Sequence, residues 1–81
     1  MSILRKRTAQ ATHVYFDAER IHVHLSDGRE ISAPLAWFPR LYNATDEQRQ
    51  RWELIGPGVG IHWEAIDEDI SVAGLLGLPN D

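Results

Sequence analysis

The residues best suited to chemistry lie between His62 and Asp69, where a histidine, a tryptophan and four carboxylates occupy eight positions. Carboxylates can bind Mg²⁺ or Ca²⁺, and a pair of them can hydrolyse a glycosidic bond inside a cleft. The spacing does not fit an EF-hand loop, which needs carboxylates at alternate positions and a central glycine. Because charge runs are more often solvated surface, we expect Ile66 and Ile70 to be buried and Asp67 to Asp69 to form an acidic surface.

Three further histidines are predicted to lie on one face of a β-hairpin. If the hairpin turns at Ala18-Glu19, the alternation of residue types places His13 directly opposite His24, with His22 on the same face. Two cross-strand histidines can bind zinc, but a stable site needs further ligands, which Glu30 or Asp27 would have to supply. The sequence therefore favours a solvent-facing or partner-facing surface over a metal site. It leaves open whether these histidines bind metal or only respond to acid near about pH 6.

The sequence also excludes several kinds of chemistry. There are no cysteines, which removes disulfides, thiolate zinc sites and cysteine nucleophiles. The glycines around Pro57 lack the lysine and the following helix of a phosphate-binding loop. No serine belongs to a nucleophile–base pair that the sequence reveals. We therefore expect a protein that is not an enzyme, with no cofactor and no bound metal.

Charge and hydropathy point to a protein partner. Eight basic and twelve acidic residues give a net charge of -4 at neutral pH, which repels phosphates and suits a basic protein. The basic cluster Arg5-Lys6-Arg7 lies in a predicted flexible N-terminus, residues 1–10, so direct nucleic-acid binding is the less favoured interpretation. With no secretory signal and no apolar run of about 20 residues, we expect a cytoplasmic protein that does not enter membranes.

The periodicity predicts one α+β domain over residues 11–78. Alternating β-branched and aromatic residues predict an antiparallel meander, and Asp27-Gly28 predicts a two-residue turn inside it. Thr45 and Gln48 form a capping-box pattern at the start of a helix. The expected strands are 12–18, 20–26 and 29–33, followed by a second hairpin of 52–55 and 60–63, and the expected short helices are 39–43, 46–51 and 72–76.

The three tryptophans supply much of the surface that so small a chain can bury. We expect their rings to cover the apolar face of the meander, with Trp37 as the one that serves as an exposed interface anchor. Arg40 is expected to form an ion-paired fork with one of the carboxylates at 67–69, which would hold the first helix against the C-terminal segment. The predicted interaction surface is Trp37, Arg40, His62, Asp67, Glu68 and Asp69.

The residues from Asp27 to Leu76 strongly resemble an uncharacterised bacterial family, domain of unknown function 2442. The matching blocks are Asp27-Gly28-Arg29, Pro34-Leu35, Trp37-Phe38-Pro39-Arg40-Leu41, Ala44-Thr45, Gln48-Arg49, Trp52, Gly60-Ile61-His62-Trp63, Asp67-Glu68-Asp69, Ile70-Ser71-Val72 and Leu75-Leu76.

The resemblance implies a small α+β domain without an established activity. Relatives occur alone or fused to a helix-turn-helix domain, and their genes often neighbour another small gene in an arrangement like a toxin–antitoxin pair. This chain has no helix-turn-helix pattern. The leading hypothesis is therefore a non-enzymatic protein-interaction module, in the manner of an antitoxin, whose basic partner is encoded nearby. The alternatives are a nucleic-acid-binding or regulatory accessory protein and a small metal-dependent hydrolase.

Overall fold

The computed structural model describes residues 9–77, which fold as two three-stranded antiparallel sheets with a few short helices. The predicted α+β class and β-meander are confirmed. The strands are β1 (Ala11–Phe16), β2 (Arg20–Leu25), β3 (Glu30–Pro34), β4 (Trp52–Ile55), β5 (Gly60–Trp63) and β6 (Glu68–Ser71). The helices are α1 (Pro39–Tyr42), α2 (Asp46–Gln50) and α3 (Val72–Leu75), and two 3₁₀ turns span Leu35–Trp37 and Glu64–Ile66.

The first sheet has the order β1-β2-β3 and the register that the alternation predicts. Val14 pairs with Val23 and His13 pairs with His24, so apolar residues face one side and histidines the other. Asp17 fixes the turn, because its Oδ1 accepts hydrogen bonds of 2.8 Å from the backbone N–H groups of Glu19 and Arg20. A short polar side chain that bonds the backbone two or three residues on is a common way to close a turn.

The turn between β2 and β3 differs from the prediction. Among residues 9–77 the only non-glycine with positive φ is Asp67, so Asp27 lacks the positive φ that the predicted two-residue turn requires at both of its central positions. Instead the N–H of Leu25 bonds the carbonyl of Arg29, and Gly28 alone has positive φ, at 94°. The loop is therefore a three-residue turn with the glycine in the left-handed region, a standard alternative for an Asp-Gly hairpin.

The second sheet has the order β4-β5-β6, and its last strand was not predicted. The hairpin of β4 and β5 has the expected bounds. β6 adds to the far side of β5, with Ile70 paired to Ile61 and Asp69 paired to His62. The acidic residues of β6 have low intrinsic strand preference, so pairing with β5 rather than local preference places them in a strand.

The core lies between the inner faces of the two sheets and is centred on Trp63, which is fully buried. Its ring lies edge-on to Phe16 at 6.3 Å between centroids, and its indole N–H donates to the carbonyl of Arg49 at 3.1 Å. The expectation that three indole rings cover the meander is wrong. Trp52 is half-buried and Trp37 is 70% exposed, so the second sheet supplies the cover instead.

Hydrogen bonds at their ends hold the short helices α1 and α2 in place, and the capping box among them was predicted from the sequence. Thr45 and Gln48 form the full capping box of α2, with bonds of 2.9 and 3.0 Å. The side chain of Arg49 extends from α2 toward α1. Its Nε donates to the carbonyl of Leu41 and its Nη2 donates to that of Tyr42, each at 2.9 Å. These carbonyls lie at the C-terminal end of α1, where that of Leu41 also accepts the N–H of Ala44, so the guanidinium joins the two helices.

The N-terminal prediction concerns mostly residues outside the described range. Arg5, Lys6 and Arg7 lie there, whereas Ala9 packs against the core and the N–H of Gln10 bonds Ser26 Oγ at 3.0 Å. Within residues 9–77 no helix has the length and apolar character needed to cross a membrane.

The contrast between two tryptophans gives a test of this core. Trp63→Ala should lower the free energy of unfolding by about 3–5 kcal/mol, because it leaves a cavity and an unpaired carbonyl. Trp37→Ala should change it by no more than about 0.5 kcal/mol, as for exposed positions in general. Urea unfolding followed by circular dichroism measures both. Equal losses would contradict the assignment of the core.

Candidate interaction site

A groove of about 400 Å³ separates the first 3₁₀ turn from the C-terminal elements. Trp37 and Phe38 form one wall, and the end of β6 with α3 forms the other. The lining is mainly apolar and carries one carboxylate. The residues of the second wall are Asp69, Ile70, Ser71, Gly74 and Leu75.

The local backbone explains why Trp37 points outward. Pro34 ends β3 in extended geometry, and a single 3₁₀ turn follows. In such a turn the side chains at i and i+3 lie above one another, so Leu35 and Phe38 face the same way. Leu35 is buried and Phe38 packs against the core, which leaves Trp37 on the solvent side. The predicted exposed position of this ring is therefore a consequence of the turn.

Arg40 reaches the acidic segment, but not through the predicted fork. Its Nη1 donates to the backbone carbonyl of Asp67, while the carboxylate Oδ2 of that residue lies 3.7 Å away. Asp67 has a left-handed backbone, φ 54° and ψ 49°, which turns its carbonyl toward the arginine. Both side chains are more than half exposed, so the ion pair itself adds little stability. The arginine acts mainly by capping this carbonyl.

His62 lies between two carboxylates on the outer face of the second sheet. Its Nε2 is 2.8 Å from Glu64 Oε1, and its Nδ1 bonds Asp69 Oδ1. Hydrogen bonds to Glu64 and to Asp69 raise the pKa of His62 from 6.5 to about 9, which outweighs partial desolvation. The ring is therefore protonated at neutral pH and forms a cationic link in an acidic surface.

The acidic run does not form one continuous surface. Asp67 occupies the turn before β6, and Glu68 shares the inner face with Trp63 and is half-buried. Asp69 alone of the three lines the groove.

The predicted surface nevertheless remains anionic. It carries three carboxylates, at 67, 68 and 69, against two cations, Arg40 and protonated His62, which leaves one negative charge, and Glu64, which the prediction did not include, adds a second.

The histidines of the first sheet form a separate network on its outer face. His22 Nε2 is 2.8 Å from Asp17 Oδ2 and His22 Nδ1 is 3.1 Å from Glu30 Oε2, while Glu30 Oε1 is 3.0 Å from His24 Nε2. The hydrogen bond from His22, with those from two backbone N–H groups, lowers the pKa of Asp17 to about 2. His13 instead meets the rings of His24 and Trp52 edge-on.

This arrangement gives no support to a metal site on the histidine face. No set of three or more histidine and carboxylate side chains within 9–77 is placed to hold a metal ion. The carboxylates there bridge histidines, and the predicted ligand Asp27 instead binds Arg29 Nε at 2.7 Å.

Sequence reasoning missed part of the groove. Gly74 and Leu75 were predicted only as part of a helix and Ile70 only as buried, yet all three line the groove. Glu64 was noted as an acid but not as a partner of His62. No local signal in the sequence identifies this wall, because it depends on β6 and on the long-range pairing of Asp69 with His62.

Two packed antiparallel sheets with short helices and a groove beside an edge strand define a small α+β domain. The chain belongs to the family described as Protein of unknown function (DUF2442), which matches residues 11–78.

Two solved structures are similar along most of the chain. A protein of unknown function from Rhodospirillum rubrum is 31% identical with a TM-score of 0.75, covering 93% of this chain and 94% of its own. An uncharacterized protein from Chromobacterium violaceum is 27% identical with a TM-score of 0.75, covering 94% of this chain and 72% of its own. No curated protein matches.

The link between His62 and its carboxylates is testable by titration. Because the pKa in the folded protein, about 9, lies above 6.5, the link stabilises fully below about pH 6.5 and is lost as pH rises through 9. Replacing both partners, Glu64→Gln with Asp69→Asn, should return the pKa of His62 toward 6.5. Proton NMR titration of the imidazole Cε1–H measures it.

The control for this titration is Asp67→Asn, since Asp67 bonds Arg40 and not His62. It should leave the raised pKa unchanged. If wild-type His62 titrates near 6.5, the two hydrogen bonds do not exist in solution.

Proposed function

We propose that this protein is a non-enzymatic interaction module whose groove beside Trp37 binds a basic segment of a protein partner. The observation that carries the proposal is a tryptophan that is 70% exposed opposite a carboxylate, Asp69, across an apolar groove. Tryptophan and arginine are enriched at binding hot spots, and an aromatic ring beside a negative charge suits lysine or arginine.

Charge supports a basic partner over an acidic one. The chain carries -4 overall, and the predicted surface together with Glu64 retains two negative charges after Arg40 and His62 are counted. Complementary charge speeds encounter with a partner and discriminates against wrong ones. The same field opposes nucleic acid, so the alternative of direct nucleic-acid binding depends on Arg5 to Arg7, which lie outside the described residues.

The chemistry of the groove supports binding rather than catalysis. His62 is the only imidazole on this surface within 9–77, and its raised pKa keeps it protonated, so it does not serve as a general base near neutral pH. Asp69 is engaged with His62 through Oδ1 and is 66% exposed in its side chain, unlike a desolvated catalytic acid.

The resemblance noted from the sequence suggests where to look for the partner. On that basis we propose a cytoplasmic protein encoded by a neighbouring gene, with this chain as the antitoxin-like member of the pair. A small acidic protein with one exposed anchor suits a role that masks a basic surface of another protein.

Substitution at the anchor tests the proposal. Trp37→Ala should weaken binding of the neighbouring gene's product by about 30-fold, the loss typical of a hot-spot tryptophan. The two purified proteins are titrated by calorimetry. The matched control is Tyr42→Ala, which removes another aromatic ring, 58% exposed, from a separate groove.

The control should bind as the wild type does. Unchanged affinity of the Trp37 variant, or absence of any complex, would refute the proposed interaction surface and partner. Binding of DNA by the full chain, with a loss on removal of residues 1–8, would support the nucleic-acid alternative instead.

A further inference from the structure

We infer that the partner's segment binds as an added β-strand along the edge of β6 that faces away from β5, opposite Asp69, with a lysine or arginine side chain over Trp37. This inference rests on the proposed function and specifies the form of its ligand. In strand addition, backbone hydrogen bonds supply affinity and side-chain pockets supply specificity.

The groove follows the edge of a strand and not its face. Side chains alternate between the two faces of a strand, so a groove over one face meets every second residue. This groove is lined by three consecutive residues, Asp69, Ile70 and Ser71. Because β6 is last in the order β4-β5-β6, one of its edges pairs with β5 and the other lies toward the groove.

The register shows which backbone groups point into the groove. The N–H of Val72 bonds the carbonyl of Val59 at 2.9 Å, which continues the pairing of β6 with β5 by one residue. In an antiparallel pair, hydrogen-bonded and non-bonded positions alternate, so Ile70 bonds β5 and Asp69 does not. The N–H and carbonyl of Asp69 therefore point away from β5.

Arg40 marks one end of this edge. Its guanidinium bonds the carbonyl of Asp67, which lies in the left-handed turn immediately before β6. A cation that caps an edge carbonyl also limits the length of an added strand. With Arg40 at one end and α3 starting at Val72 at the other, the available edge suits a short extended segment centred on Asp69.

The side chains around this edge specify a basic segment. The indole of Trp37 forms the opposite wall, and a lysine or arginine stem can pack on it with its charge over the ring. Asp69 uses Oδ1 for His62, while its Oδ2 makes no hydrogen bond to any residue in the described part of the chain. A cation over Trp37 can pair with this oxygen.

A comparison of Asp69→Pro with Asp69→Ala isolates the backbone contribution. Both variants lack the carboxylate and the bond to His62, but only proline also lacks the outward N–H. Proline is tolerated on an edge strand where its missing N–H faces solvent, so the bonds to β5 should persist.

The probe is a fluorescent hexapeptide of alternating lysine and valine, and the control probe alternates glutamate and valine.

We expect the lysine peptide to bind wild type and the glutamate peptide not to bind. Asp69→Ala should weaken binding, and Asp69→Pro should weaken it by about a further fivefold, the value of one backbone hydrogen bond. A lysine peptide methylated on alternate backbone nitrogens should bind the wild-type protein more weakly by a similar factor. If circular dichroism shows that Asp69→Pro is unfolded, the methylated peptide provides the test of the backbone hydrogen bonds.

The outcomes separate this inference from the proposed function. Equal binding by the two Asp69 variants and by the methylated peptide, with Trp37→Ala still weakening the complex, would leave a side-chain interaction site and overturn strand addition. Failure of the wild-type protein to bind the lysine peptide would overturn the inference, whereas the calorimetric titration with the neighbouring protein would still judge the proposed function on its own.

Discussion

The fold depends on the burial of Trp63 between two small sheets. A tryptophan ring removes up to about 250 Å² from water, a large share for a core made mostly of small aliphatic side chains. Its indole N–H must find an acceptor in the interior, and the carbonyl of Arg49 supplies it. The guanidinium of the same Arg49 bonds carbonyls at the C-terminal end of α1. This one residue of α2 therefore links the ring of Trp63 to both α1 and α2.

This arrangement leaves other surfaces uncovered. A domain of this size buries only about 60% of the surface of its unfolded chain, so apolar groups remain at its edges. Leu35 and Phe38 contribute to the core from the 3₁₀ turn, and the turn's geometry sends Trp37 outward. One edge of β6 pairs with β5 and completes the second sheet, and its other edge lies beside the ring of Trp37. The candidate site is thus a consequence of how the core is closed.

Much of the fold could be predicted because it depends on local patterns. Alternation and the turn at 18–19 determined the pairing of His13 with His24, and the capping box located α2. β6 escaped prediction because its acidic residues do not favour strands, and only the long-range pairing with β5 places them there. The exposed Trp37 was predicted, but not that Trp63 alone of the three tryptophans is fully buried, because burial depends on packing between distant segments.

The site was predictable only in part for a similar reason. Arg40 was expected near the acidic segment, yet its acceptor is a carbonyl, since the left-handed turn at Asp67 directs that group outward. His62 was assigned to the surface, but its bond to Asp69 depends on a cross-strand pair that the sequence does not display.

Amide hydrogen exchange of the free protein tests the central claim most directly, because it reports which edge groups of β6 are bonded. The account predicts strong protection at Ile61 and Ile70, whose N–H groups lie between strands, and rapid exchange at Asp69, whose N–H faces the groove. Protection of Asp69 equal to that of Ile70 would show that this edge is already occupied or that the register is different, and would contradict the account.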